Sequence, residues 1–349
     1  MVVGQGLAGT LLTYYLEKAG QNVLVIDNTH DQAASKIAAG VINPITGRKY
    51  VKSWKIEELL PFADETYSAI GNKLETNYIH QRHIIRGLYS VKDENTWEAR
   101  KSDPRAAQYI ADDYDLTNVN EYIQGAMSFG VLKEGRQVDI GRMVEDYSTY
   151  LKEEGRLVED KFDHDALEMD DQKVTYKGYS AKAIVFSEGY QVIHNPLFNN
   201  IAFEPAKGEV LLIRLKEAQF ADMIRHKLFI VPLSDEENPL YWVGSGYAWD
   251  FKDDQPTQSE YDRLVEVLDS FLDMEYEIVE HIAGIRPSIK GRRPVLGRHP
   301  KFENAYIFNG LGTKGTSLGP YFAKEMVDYL VVGKDLDREV DVKYKMNYE

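Results

Sequence analysis

The stretch Val2-Val-Gly-Gln-Gly-Leu-Ala-Gly-Thr-Leu-Leu-Thr-Tyr-Tyr-Leu-Glu-Lys-Ala-Gly-Gln-Asn-Val-Leu-Val-Ile-Asp27 decides how this chain folds. Val2 and Val3 close an apolar strand, and Gly4-x-Gly6-x-x-Gly9 is a glycine-rich turn. Leu11, Leu12, Tyr15, Leu16 and Ala19 then recur at helical spacing, and Gly20 suits the helix's C-terminal stop. Val23–Ile26 reads as a short buried strand, so the whole is one βαβ unit. Gly4 permits the tight turn, Gly6 lets the backbone approach a pyrophosphate, and Gly9 lets the helix lie close to the strand. The helix N-terminus offers amide N–H groups and a partial positive charge to phosphates. Asp27, 18 positions after Gly9, ends the second strand, where a carboxylate accepts hydrogen bonds from ribose hydroxyls. That acid disfavours a 2′-phosphate, so NAD or FAD is expected over NADP. A lone glycine fingerprint says little, but strand, glycines, helix, strand and terminal acid together mark a dinucleotide site. Only three residues precede Gly4, which points to a natural start upstream or a strand that has lost its beginning.

Composition narrows the rest. At about 150 residues per domain, 349 residues suggest two domains. Hydrophobic residues make up 43% and charged residues 28%, which excludes disordered and collagen-like classes. The net charge of −15 repels phosphate backbones and anionic lipid, so general nucleic-acid binding is not expected, although a local basic pocket is allowed. The absence of cysteine removes disulfides, Cys-ligated zinc, iron–sulfur clusters, thiol nucleophiles and cysteinyl cofactor links. No apolar run approaches the roughly 18 residues of a membrane span, and the N-terminus lacks a basic leader, so a cytoplasmic location is expected. The eight histidines are scattered without a metal-binding spacing, so no metal is expected. His80 and His83 could share a helix face, with a solvated or core role favoured. Arg292, Arg293, Arg298 and His299 read as a basic surface turn.

Further helices are expected along the stripes Ile56–Leu74, Ile140–Leu151, Tyr261–Leu272 and Phe322–Leu330. Strands are expected at Ala183–Ser187, Glu209–Arg214, Leu228–Pro232, Tyr241–Gly246 and Ala305–Asn309, with acidic loops at Ser234–Pro239 and Asp250–Gln258. The strand-rich middle suggests an antiparallel sheet beside a doubly wound one.

Three segments carry a family likeness. They are Ser35-Lys-Ile-Ala-Ala-Gly-Val-Ile-Asn-Pro44, then Gly284-Ile-Arg-Pro-Ser-Ile-Lys-Gly-Arg-Arg-Pro-Val-Leu-Gly-Arg-His-Pro300, then Asn309-Gly-Leu-Gly-Thr-Lys-Gly-Thr-Ser-Leu-Gly-Pro320. With the first βαβ unit and Ala183-Ile-Val-Phe-Ser-Glu-Gly189, they resemble the D-amino-acid oxidase family of FAD-dependent oxidoreductases, in its glycine oxidase and sarcosine oxidase branch. The resemblance implies an extended, noncovalent FAD. Gly4, Gln5, Gly6, Leu7, Ala8, Gly9, Asp27 and Asn28 would border its adenosine half and pyrophosphate, with Ser35 beside them. Ala38, Ala39, Gly40 and Val41 would border the flavin ring. Ser187, Glu188 and Gly189 would follow the third nucleotide-side strand. Gly310, Gly312, Thr313, Lys314, Gly315, Thr316 and Ser317 would form the turn at the pyrimidine edge, where a helix N-terminus suits the negative charge of a reduced flavin. Phe162-Asp-His-Asp-Ala-Leu167 resembles the family strand whose last apolar residue, here Leu167, lines the adenine, and an ordinary core strand is the competing reading.

On the substrate side, Arg286 matches the family arginine that pairs with the substrate carboxylate, a contact suited to a planar guanidinium. Phe229 falls roughly where relatives place an aromatic wall, with core packing the better reading. The branch carries an arginine in the C-terminal turn where this chain has Thr313 and Lys314, so Lys314 is a candidate for a charge role. The strand Tyr241–Gly246 has no lysine of the kind sarcosine oxidases place near the flavin, so O2 or another electron acceptor stays open. The expected fold is α/β: a Rossmann-like doubly wound FAD-binding domain interrupted by an antiparallel-sheet substrate domain of α+β character. The first spans 1–75, 135–205 and 278–349, the second 76–134 and 206–277. The expected activity is oxidation of the C–N bond of a small amino acid or N-methyl amine. The alternatives are a larger aminomethyl substrate, such as a modified tRNA base, and a non-catalytic NAD-binding redox sensor.

Overall fold

The computed structural model describes residues 1–28, 33–235 and 237–346. In chain order its principal elements begin with β1 (Val2–Val3), α1 (Leu7–Lys18), β2 (Val25–Asp27), α2 (Ala34–Ile37), β3 (Val41–Ile42) and α3 (Ile56–Lys73). Next come β4 (Ile79–Leu88), β5 (Ser128–Val138), α4 (Ile140–Glu153), β6 (Leu157–Glu159), β7 (Ile184–Phe186) and β8 (Ala206–Leu215). The remainder is β9 (Met223–Arg225), β10 (Phe229–Pro232), β11 (Tyr241–Gly244), α5 (Gln258–Asp269), β12 (Tyr276–Arg286), β13 (Val295–Arg298), β14 (Ala305–Asn309) and α6 (Gly315–Val332).

A six-stranded sheet runs β13-β14-β7-β1-β2-β6 and is parallel except at β13. Its strands are short and alternate strictly in where they point. Val2, Val25 and Val185 face a core shared with α1, α3, α4 and α6. Val3, Ile26, Ile184 and Phe186 face a second core closed by Val174, Tyr176, Phe198 and Val342. Helices therefore cover one side, as a parallel sheet requires. On that side α1 and α6 approach closely because Gly315 and Gly319 present no side chain to Leu7 and Leu11.

An eight-stranded sheet runs β12-β8-β11-β10-β9-β4-β5-β3, antiparallel throughout except for β9 on β4. One face, carrying Ile85, Leu211, Ile224, Ile230 and Val243, packs on Leu264 and Leu268 of α5. The opposite face looks toward α2: Trp242 Nε1 donates to the Ile37 carbonyl oxygen at 2.8 Å, and Gly284 packs on Ile37 and Ala34. The first core includes residues of both sheets, among them Val25, Phe308, Ile84 and Val231.

Several elements differ from the sequence reading. His80 and His83 lie on β4, not a helix; His80 meets Asp235 at 2.8 Å and His83 meets Asp222 at 3.4 Å. Within Phe162–Leu167, residues His164–Ala166 form a 3₁₀ turn, because the Asp163 carboxylate caps the Asp165 N–H at 3.0 Å. The strand begins at Leu167 and belongs to a separate three-stranded sheet. The basic turn is only partly surface: Arg293 pairs with Glu339 at 2.9 Å and lies over Trp54, while His299 is buried between Phe198 and Phe302. The long strands β4, β5 and β12 were not foreseen, and β5 and β12 run through the divisions expected near residues 135 and 278. Among the described residues no helix is long and apolar enough to cross a membrane.

Candidate active site

The site begins at the carboxyl ends of β1, β2, β7 and β14, the edge where open α/β sheets take their ligands. Gly4 has φ +94°, and a Cβ there would press on the Ser187 carbonyl. A Cβ at Gly9 would overlap the Gly4 carbonyl oxygen, so only glycine lets α1 start so close to β1. The Gln5 N–H donates to Asp27 Oδ1 at 2.8 Å, tying the turn to the end of β2, next to Asn28. The Leu7 N–H, in the first turn of α1 with Ala8, donates to Ser35 Oγ at 2.8 Å. A Cβ on Gly6 would meet that same oxygen. The glycine turn and the helix N-terminus thus form the kind of backbone corner that takes a pyrophosphate.

Two more segments converge on this edge. Ser187, Glu188 and Gly189 follow β7, and the Ser187 hydroxyl is buried with no partner among the described residues, as a group meant for a ligand would be. The Glu188 carboxylate is committed internally, accepting from Asn195 Nδ2 at 2.7 Å and facing His164 Nε2 at 3.1 Å, which leaves its backbone for a cofactor. Asn309 joins the ends of β7 and β14: its Nδ2 donates to the Gly189 carbonyl at 3.0 Å, and its Oδ1 accepts from the Gly310 N–H at 2.8 Å. The chain then turns through Gly310 (φ +76°) and Gly312 (φ +56°), and Thr313 and Lys314 complete a 3₁₀ turn. Gly315, Thr316 and Ser317 open α6, and Tyr67 Oη holds that end by donating to the Thr316 carbonyl at 2.8 Å. Lys314 has no carboxylate partner among the described residues. Burial, and then Arg293 and Arg292, hold its ammonium below the ordinary lysine value.

The small-residue loop reaches the second sheet. After α2, Ala38 and Ala39 lead to Gly40 (φ +68°), where a Cβ would overlap the Val138 carbonyl. Val41 then pairs with Gln137 as β3 joins β5. Leu167 lies apart in the small sheet, half-buried against the second core.

Arg286 ends β12 beside Ala206, and its guanidinium lies across Gly208, where a Cβ would overlap it. Nη2 donates to Ser245 Oγ at 2.6 Å, Nη1 donates to the Gly246 carbonyl at 3.4 Å, and Tyr247 stacks at 4.6 Å. No carboxylate among the described residues pairs with it, and burial lowers its pKa. Ser288 N–H returns to the Arg286 carbonyl at 2.8 Å, and Gly312 packs on Ser288, so Arg286 and the Lys314 turn are neighbours. Phe229 is half-buried on β10, facing the same side of the sheet, with the Arg225 guanidinium 5.1 Å from its ring. Arg225 and Arg86 on this face escaped the sequence reading, because sheet register alone brings them together.

The residues present fit a flavin dinucleotide: a glycine turn at a helix N-terminus, and, among the described residues, a Ser187 hydroxyl with no hydrogen-bond partner and a Lys314 ammonium with no carboxylate partner. A family model described as FAD dependent oxidoreductase (DAO) matches residues 1–329. The chain is 21% identical to the glycine oxidase of Pseudomonas aeruginosa over 359 residues, covering 95% of this chain and 94% of that protein. It is also 21% identical to a Bacillus subtilis (strain 168) protein named uncharacterized oxidoreductase YurR, covering 97% of this chain and 96% of the other. The solved structure of glycine oxidase from Geobacillus kaustophilus has the same fold, with TM-score 0.79 at 18% identity, 100% of this chain and 98% of that one being covered.

Proposed function

The chain belongs to the FAD dependent oxidoreductase (DAO) family, an enzyme family with FAD as its cofactor, and we propose that this member oxidises the C–N bond of a small amino acid or N-methyl amine. The observation that carries the reading is Arg286: a half-buried guanidinium with no acid partner among the described residues, on the face that looks toward the small-residue loop. A protein with 56 acidic and 41 basic side chains gains no stability from leaving such a cation unpaired, since its partial desolvation disfavours the charge. A substrate carboxylate would complete it through a bidentate, charge-assisted pair.

Ser245 and Tyr247 fix the plane of that guanidinium, and Gly208 makes room for it. Holding the carboxylate in a fixed plane orients the neighbouring carbon, which is the protein's main contribution to such a reaction. Bound FAD supplies the two-electron acceptor for the hydride that leaves that carbon as the amine becomes an imine. In this reading Ala38–Gly40 border the ring through backbone alone, and Lys314 with the start of α6 offsets negative charge at its pyrimidine edge. Thr313 and Phe229 complete the walls.

Replacing Arg286 by lysine tests the anchor. The bidentate fork is lost while the charge stays, so the dissociation constant of the amino acid, read from flavin absorbance, should rise about 30-fold or more. The flavin spectrum itself should persist. Unchanged affinity would remove the anchor.

A further inference from the structure

The face of the eight-stranded sheet that carries Arg286 carries two more arginines with no carboxylate partner among the described residues. Arg86 on β4 and Arg225 on β9 are register partners on parallel strands, so their side chains rise together. Their neighbours Ile85 and Ile224 point the other way, into the core under α5. The same register row continues from Arg225 to Phe229 and from Phe229 to Gly244. Arg286 reaches Ser245, the residue after Gly244. Arg225 Nη1 donates to the carbonyls of His226 at 2.7 Å and Lys227 at 3.3 Å, leaving Nε and Nη2 with no acceptor among the described residues. Arg86 Nη2 donates to the Gly47 carbonyl at 3.1 Å, and its guanidinium lies 4.6 Å from the Tyr50 ring. No carboxylate among the described residues pairs with either.

Two adjacent guanidinium groups repel, and partial burial of Arg225 adds to the cost. In a chain with a net charge of −15, that arrangement calls for an anion from outside. The row spacing gives the scale of the span. Arg225 and Gly244 stand two strands apart, about 10 Å between backbones. A short dicarboxylate with a guanidinium contact at each end is of that length.

We propose that the substrate is an amino-dicarboxylate, of the aspartate or glutamate kind, whose second carboxylate lies over Phe229 and is selected by Arg225 with Arg86 beside it. The proposal rests on the reading of Arg286 as the anchor of the first carboxylate.

The test uses the FAD-loaded full chain. Perturbation of its flavin spectrum is titrated with succinate and with propionate, and anaerobic bleaching with both enantiomers of aspartate and glutamate and with glycine and alanine. Succinate should bind at least 10-fold more tightly than propionate, and an aspartate or glutamate should be the preferred reductant. Arg225→Gln should weaken succinate and that amino acid about 30- to 100-fold and change propionate and glycine less than 3-fold, with Arg225→Lys recovering part of the loss. Retained flavin absorbance shows that the variants fold. Equal affinity for succinate and propionate, or an Arg225→Gln effect equal on both, overturns the second-carboxylate site while leaving the Arg286 reading standing. A protein in which Arg286→Lys also changes neither acid loses the underlying reading as well.

Discussion

Burial at single residues sets the chemistry. Arg286 is a candidate anchor in sequence because Gly284-Ile-Arg-Pro287 carries the family likeness, yet its lack of an acid partner among the described residues is a property of packing that no spacing reveals. Glu188 shows the converse: its place after the third strand carries the expectation of a cofactor contact, and with Asn195 and His164 on its carboxylate that contact falls to its backbone. His226 gives a pH prediction at this scale. It is 4% exposed, stacks 4.4 Å from the Phe271 ring centroid, and has neither ring nitrogen hydrogen-bonded among the described residues. Burial pulls its pKa down to about 4. The folded protein therefore keeps it neutral while the unfolded chain takes up a proton near 6.5, so its contribution is fully present above pH 6.5 and is lost as pH falls toward 4. Denaturant titrations at pH 7 and pH 4.5 should show wild type losing roughly 2 kcal/mol more than His226→Phe. Parallel losses would contradict it.

At the scale of elements, the first βαβ unit was readable because each of its parts has a local cause. The glycines are dictated by close approach, the helix by apolar spacing, and the stop by Gly20 at φ +72°. Gly9→Ala places a methyl group against the Gly4 carbonyl and must push α1 away from β1. FAD affinity, measured by equilibrium titration, should fall at least 10-fold while far-ultraviolet circular dichroism is retained. Undiminished affinity would mean that the turn does not cradle the pyrophosphate. The strands β4, β5 and β12 were not readable, since charged residues interrupt their alternation and their pairings are distant in sequence. The 3₁₀ turn at His164–Ala166 was misread for a related reason: a local Asp163 cap competes with the ladder.

For the whole molecule, the two sheets share one core and meet across the Trp242 bond to Ile37. The division of labour follows from that junction: one sheet offers a helix N-terminus and bare backbone, the other a face with three arginines that have no carboxylate partner among the described residues. Fold class and cofactor were legible because both ends of the chain repeat a family pattern. The arginine pair was not, because residues 86 and 225 are neighbours only through strand order. The most direct test of the account is anaerobic visible absorption of the purified protein loaded with FAD, before and after adding a panel of amino acids and N-methyl amines. The account predicts a flavin spectrum that one of them bleaches, with reoxidation by air then separating O2 from another acceptor. A flavin spectrum that every one of them leaves unchanged would contradict it.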